Sequence, residues 1–112
     1  VNSFLGFGGG AAYTASKHGQ IGLTTSASAE LASQGIRVNI VCPGITDTPM
    51  HHRARAIIGD EIYEALVQGR VHLKRKGLPE EIAETIVWLC SDEASYVTGT
   101  TLTPDGGFTM TI

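Results

Sequence analysis

Tyr13 and Lys17 stand four positions apart in Tyr13-Thr14-Ala15-Ser16-Lys17, a spacing that stacks a phenol and an ammonium on one helix face. The chemistry this pairing offers is proton transfer. A tyrosine in water ionises near pH ~10, too high for acid–base work at neutral pH, and a fixed positive charge nearby favours its phenolate. Lys17 supplies such a charge. The pair alone has low specificity, because a tyrosine at a packing edge and a solvated lysine share this spacing in many helices.

Further along stand, in order, Gly35-Ile36-Arg37-Val38-Asn39, Cys42-Pro43-Gly44-Ile45-Thr46-Asp47-Thr48, Gly77-Leu78-Pro79-Glu80-Glu81-Ile82-Ala83, Tyr96-Val97-Thr98-Gly99 and Asp105-Gly106-Gly107. Together with Tyr13 and Lys17 these motifs resemble the carboxyl-terminal half of a short-chain dehydrogenase/reductase, and the resemblance covers nearly the whole chain. It implies an α/β fold, the C-terminal portion of a Rossmann-type doubly wound parallel sheet, with the last two strands, a long helix bearing the proton-transfer pair, a lid region and a final helix. Residues 1–112 would then form a single partial domain.

The resemblance also implies hydride transfer between NAD or NADP and the alcohol–carbonyl pair of a small-molecule alcohol or ketone. Tyr13 would give or take the proton, and Lys17 would hold the nicotinamide ribose hydroxyls beside it. Pro43, Gly44 and Ile45 would line the nicotinamide pocket, the backbone at Ile45 reaching the carboxamide and the Thr48 hydroxyl contacting the amide or the diphosphate. A full-length protein of this kind is a homo-oligomer, dimer or tetramer, with the Asp105-Gly106-Gly107 turn near a subunit contact. Cofactor preference is set near the second strand of such folds, so NAD and NADP are not distinguished here.

Two parts of the family pattern have no counterpart. Gly6-Phe7-Gly8-Gly9-Gly10-Ala11 fits G-x-G-x-x-[GA], yet no strand long enough precedes it and no acidic ribose partner follows at the proper distance, so a flexible loop is expected. The family's serine lies about thirteen positions before the tyrosine, just upstream of Val1. Ser3 has the wrong spacing, and Ser16 points around the helix away from both partners. The expectation is a fragment that is inactive alone. Two other readings stay open: a non-catalytic assembly module derived from the same fold, and an extended family member acting as a sugar-nucleotide epimerase, against which the Asp-Gly-Gly ending argues.

Composition narrows the classes further. The 112 residues, 42% of them apolar, make one domain at most. A net charge of -3, from 8 basic and 11 acidic residues, offers neither a basic patch for nucleic acid nor a polybasic membrane anchor. No apolar run approaches the roughly 18 residues of a membrane span, and nothing resembles a signal core; a cytoplasmic location is expected. Cys42 and Cys90 have no metal or redox spacing and are expected as reduced core thiols. Adjacent His51 and His52 cannot share a helix face, so no metal site is expected.

The elements that must position the chemistry follow from pattern. A long helix over residues 11–33 carries Tyr13 and Lys17 in its first turns, and Gly35 stops it. Residues 37–42 read as a buried parallel strand with Val38, Ile40 and Cys42 on one face. Pro43-Gly44 ends that strand, and the loop beyond its carboxyl end is where open α/β sheets bind ligands. From residue 50 to 71, where the resemblance places a mobile substrate lid, charged and apolar residues mix, with a break at Gly59-Asp60. His72-Leu73-Lys74-Arg75-Lys76 departs from the family's Pro-Leu-Gly-Arg pattern at the lid exit. Pro79-Glu80-Glu81 starts a helix with Ile82, Ile86, Leu89 and Cys90 on its apolar side and Trp88 in core or interface. Residues 100–103 read as a short edge strand ended by Pro104.

Overall fold

The computed structural model describes residues 10–110; Ser3 and most of the Gly6–Ala11 stretch lie outside them. Helix α1 spans Ala11–Leu31 and tightens into a 3-10 turn at Ala32–Gln34. Gly35 then adopts φ 75°, where a side chain would be strained, and the helix stops as expected. The half-buried face of α1 runs through Thr14, Lys17, Ile21, Thr24, Ser28 and Leu31, a helical repeat that turns Lys17 inward.

Strand β1 (Ile40–Val41) pairs in parallel with β2 (Thr101–Leu102), Ile40 opposite Thr101 and Val41 opposite Leu102. Both regular strands are shorter than the sequence suggests, and the reason is local. Val38 N–H donates to the Thr98 hydroxyl, while the Asn39 amide donates to Val97 O and accepts from Thr100 N–H. Side chains thus replace ladder bonds before Ile40, and Pro104, which has no N–H to give Cys42 O, interrupts the ladder after Cys42. Backbone bonds still flank the strands, from Gly99 N–H to Val38 O and from Gly44 N–H to Pro104 O. Val38 and Ile40 are half-buried rather than buried; of the three residues expected inside, only Cys42 is fully enclosed.

The Gly35–Asn39 and Tyr96–Gly99 motifs are therefore structural. The Arg37 guanidinium donates to Leu89 O at 2.7 Å, Ser91 O at 3.1 Å and Val97 O at 3.2 Å, tying the end of the last helix to the approach of β2. Ser28 Oγ lies 2.9 Å from Thr98 Oγ1, and a Cβ on Gly99 would sit 3.0 Å from that Ser28 oxygen, so α1 docks where a glycine lets it approach.

The lid is two helices, α2 (Pro49–Ile58) and α3 (Asp60–Arg70), broken at Gly59 with φ 91°. Arg55 bridges the break, donating to Asp60 at 2.8 Å. Ile45, Tyr63, Val67 and Val71 form the buried cluster beneath the lid, with Phe108 packed against it. At the lid exit Lys74 takes φ 56° and clasps the end of α3, its ammonium donating to Gln68 O at 2.7 Å. That clasp is how the departure at 72–76 is accommodated.

Helix α4 (Pro79–Cys90) begins as predicted, with Pro79 in its first turn and the Glu81 carboxylate accepting from Leu78 N–H at 2.7 Å. Its inward face differs from the expectation. Ile82, Thr85 and Leu89 face the protein, whereas Ile86 is 46% exposed and Cys90 is exposed. The pattern of apolar residues extends around α4 beyond what the neighbouring elements cover, so Cys90 is a surface thiol rather than a core one. Among the described residues no helix is long and apolar enough to cross a membrane.

Candidate active site

The loop after β1 is pinned from two sides. Thr46 forms a parallel bridge with Gly77, Gly77 N–H donates to Ile45 O at 2.9 Å, and Asp47 N–H donates to Gly77 O at 2.9 Å. On the other side a Cβ on Gly44 would lie 2.6 Å from Asp105 Cα. Only glycine permits that approach. Asp105 is fixed in turn by accepting from Thr109 N–H and Gly107 N–H at 2.8 Å and from the Thr109 hydroxyl at 2.6 Å. Burial would raise the Asp105 carboxyl, but these bonds outweigh it and hold the group below the usual carboxylate range.

Between this loop, the first turns of α1 and the lid lies a cleft of about 920 Å³, a size typical of small-molecule and cofactor sites. Tyr13, Lys17, Pro43, Gly44, Ile45 and Thr48 all line it. Residues separated by a helix, a turn and a strand in sequence are thus brought to one opening at the carboxyl end of β1, where open α/β sheets hold ligands. The Lys17 ammonium sits 5.5 Å from the Tyr13 ring centroid, a cation–π arrangement that keeps the pair on one helix face. Ser16 turns its hydroxyl back to Tyr13 O at 2.7 Å and is absent from the cleft wall. Thr48 occupies the N-cap position of α2 without capping it through its side chain.

Met50, Tyr63 and Phe108, which sequence reasoning did not single out, and His51, weighed there only as a metal ligand, also line the cleft. Tyr63 is buried, and that burial raises its phenol above the ordinary value. At the start of α2, Asp47 accepts from Lys76 at 3.1 Å and lies 2.7 Å from His52 Nε2. Hydrogen bonds from His52 and then Lys76 lower the Asp47 carboxyl. Among the described residues no three His, Cys, Asp or Glu side chains gather as metal ligands.

The family model described as enoyl-(acyl carrier protein) reductase matches residues 1–109. A short-chain dehydrogenase of Pyricularia oryzae, RED2, is 44% identical over 99 residues, covering 88% of this chain and 35% of its own length. Among solved structures, a 4-hydroxyisoleucine dehydrogenase complexed with NADH superposes with a TM-score of 0.86 at 33% identity, covering 96% of this chain and 43% of that one. YwfH, an NADPH-dependent reductase involved in bacilysin biosynthesis, superposes with a TM-score of 0.81 at 30% identity over 88% of this chain and 40% of its own. The chain spans only about two fifths of the proteins it matches. Its helices and parallel strands form the C-terminal portion of their Rossmann-type α/β fold. With the motifs, the architecture and the match across nearly all its residues in agreement, the chain belongs to the short-chain dehydrogenase/reductase family.

Proposed function

We propose that the protein containing this chain is an NAD(P)-dependent oxidoreductase that interconverts a small alcohol and its ketone or aldehyde. The observation that carries the reading is the convergence of Tyr13, Lys17, Pro43, Gly44, Ile45 and Thr48 on one cleft. Residues 1–112 are, in this reading, one part of the catalytic domain and inactive without the rest.

The residues present suit the nicotinamide end of such a cofactor. Val41, Pro43 and Ile45 give apolar walls, Lys17 an ammonium for ribose hydroxyls, and Thr48 a hydroxyl that α2 does not use as a cap. Gly44 keeps the floor low because nothing larger fits against Asp105. When bound, NAD or NADP accepts or supplies the hydride.

The chain's own part is the proton. For reduction, the Tyr13 hydroxyl donates its proton to the carbonyl oxygen; for oxidation, its phenolate takes the proton from the substrate hydroxyl. Lys17, whose ammonium lies 5.5 Å from the Tyr13 ring centroid, binds the ribose. The lid helices α2 and α3 close over the substrate and exclude water.

Assembly into a dimer or tetramer belongs to the same reading. Its support is the exposed apolar side of α4, where Val87 is 67% and Trp88 40% exposed. A cytoplasmic location is part of the same reading. The same surface favours the competing reading, a non-catalytic assembly module.

The test is NAD(P)-linked turnover of the natural-length protein across an alcohol and ketone panel, before and after Tyr13→Phe. Loss of at least roughly a hundredfold with folding intact is expected for a lost general acid–base group. Near-parental turnover in the variant would remove Tyr13 from the chemistry. Absence of turnover and of cofactor binding in the parent would favour the assembly module.

A further inference from the structure

The lid side of the cleft, formed by Met50, His51, Ala54, Ile58, Tyr63 and Leu66, carries an unusual polar group. His51 sits half-buried, its ring edge-on to Tyr63 with centroids 6.3 Å apart. Its Nδ1 is fully enclosed and has no hydrogen-bond partner. An enclosed N–H without an acceptor is the costlier of the two tautomers, which favours the ring proton on Nε2. Burial, then the nearby Lys76, disfavours protonation of His51 more than Asp47 favours it.

Charge sharpens the picture. Lys17 is the one charged side chain that lines the cleft among the described residues, and it belongs to the nicotinamide end. Lys76 and Asp47 satisfy each other outside the lid wall, Asp47 also engaging His52. Within this chain, a carboxylate or phosphate on the substrate would lose its hydration at the lid while the nearby Lys76 is already engaged by Asp47. A neutral oxygen would meet the His51 N–H in a wall whose one other hydrogen-bonding side chain is the Tyr63 phenol.

We infer that His51 is a specificity-determining residue, an imidazole donor in an apolar lid wall that selects uncharged substrates carrying one oxygen acceptor on an apolar body, away from the reacting carbonyl. The inference rests on the proposed alcohol–carbonyl activity for the reacting end. It can be tested by binding, independently of turnover.

Three cyclohexanones of similar size serve as probes: 4-hydroxycyclohexanone, 4-methylcyclohexanone and 4-oxocyclohexanecarboxylate. Their affinities for the natural-length protein saturated with cofactor are measured by calorimetry. The hydroxy ketone is expected to bind roughly fivefold tighter than the methyl ketone, the scale of one net hydrogen bond, and at least about tenfold tighter than the carboxylate. His51→Phe should erase the preference of hydroxy over methyl while the carboxylate stays weak, and His51→Leu should do the same if Phe disturbs folding. Equal affinity of the parent for hydroxy and methyl ketones, tightest binding of the carboxylate, or an unchanged ratio in a folded variant each overturns the inference. Turnover of the methyl ketone by the parent, lost in Tyr13→Phe, reports separately on the activity.

Discussion

Gly44 and Asp105 approach so closely that a Cβ on Gly44 would lie 2.6 Å from Asp105 Cα and 2.9 Å from its carbonyl oxygen. The floor of the cleft is thereby welded to the Asp105-Gly106-Gly107 turn. Gly44→Ala must push one backbone against another, at a cost of roughly 1–3 kcal/mol for overpacking. A lowered denaturation midpoint with weakened cofactor binding is expected. Unchanged affinity alongside the lost stability would show that the floor is not part of the cofactor pocket.

Lys17→Ala removes the ammonium lying 5.5 Å from the Tyr13 ring centroid. In the proposed reading that ammonium holds the nicotinamide ribose hydroxyls, so cofactor affinity should fall by roughly the 1.5–3 kcal/mol of a hydrogen bond from a charged donor. An affinity unchanged in the folded variant would rule out the role given to Lys17.

Arg37→Met deletes the donor to three carbonyl oxygens, those of Leu89, Ser91 and Val97. The expected loss is roughly 2–3 kcal/mol, given the strength of hydrogen bonds from charged donors, read by urea unfolding. At temperatures where the variant remains folded, KM for the substrate should hold, since Arg37 touches no part of the cleft wall.

Acid should loosen the entry to α4. The Arg75 guanidinium, then Leu78 N–H, bring the Glu81 carboxyl down to about 2 from its ordinary 4.5. A depressed folded-state value means stability present above about 4.5 and lost as pH falls from there towards 2. Glu81→Gln should flatten that stretch of the stability–pH curve. Both partners are substantially solvent-exposed, so the effect should shrink in high salt; a salt-independent slope would point to another group.

What could be read from sequence was whatever local geometry or a fixed backbone dictates. Tyr13 and Lys17 share a face because a helix repeats that way, Gly35 stops α1 because it can take φ 75°, and Pro79 starts α4 because its φ is preset. The same logic failed where neighbours decide. Thr85 rather than Ile86 faces inward on α4, and Cys90 is exposed, because the direction of burial depends on elements that periodicity does not reveal. β1 came out short because Asn39 and Thr98 side chains take over bonds that a strand would make. His51 was read only as half of a histidine pair, since its enclosed Nδ1 exists only once α2 has been laid beside Tyr63.

The hydrogen bond from Thr100 N–H to Asn39 joins residues 61 positions apart, and Gly44 meets Asp105 across a similar stretch of chain. Nothing shorter than that loop can assemble the cleft floor, so during synthesis the segment with Tyr13 and Lys17 has no pocket until Asp105 has left the ribosome. A premature stop codon or a protease cut after β2 would spare every residue from Tyr13 to Thr48 and still abolish the place where they meet.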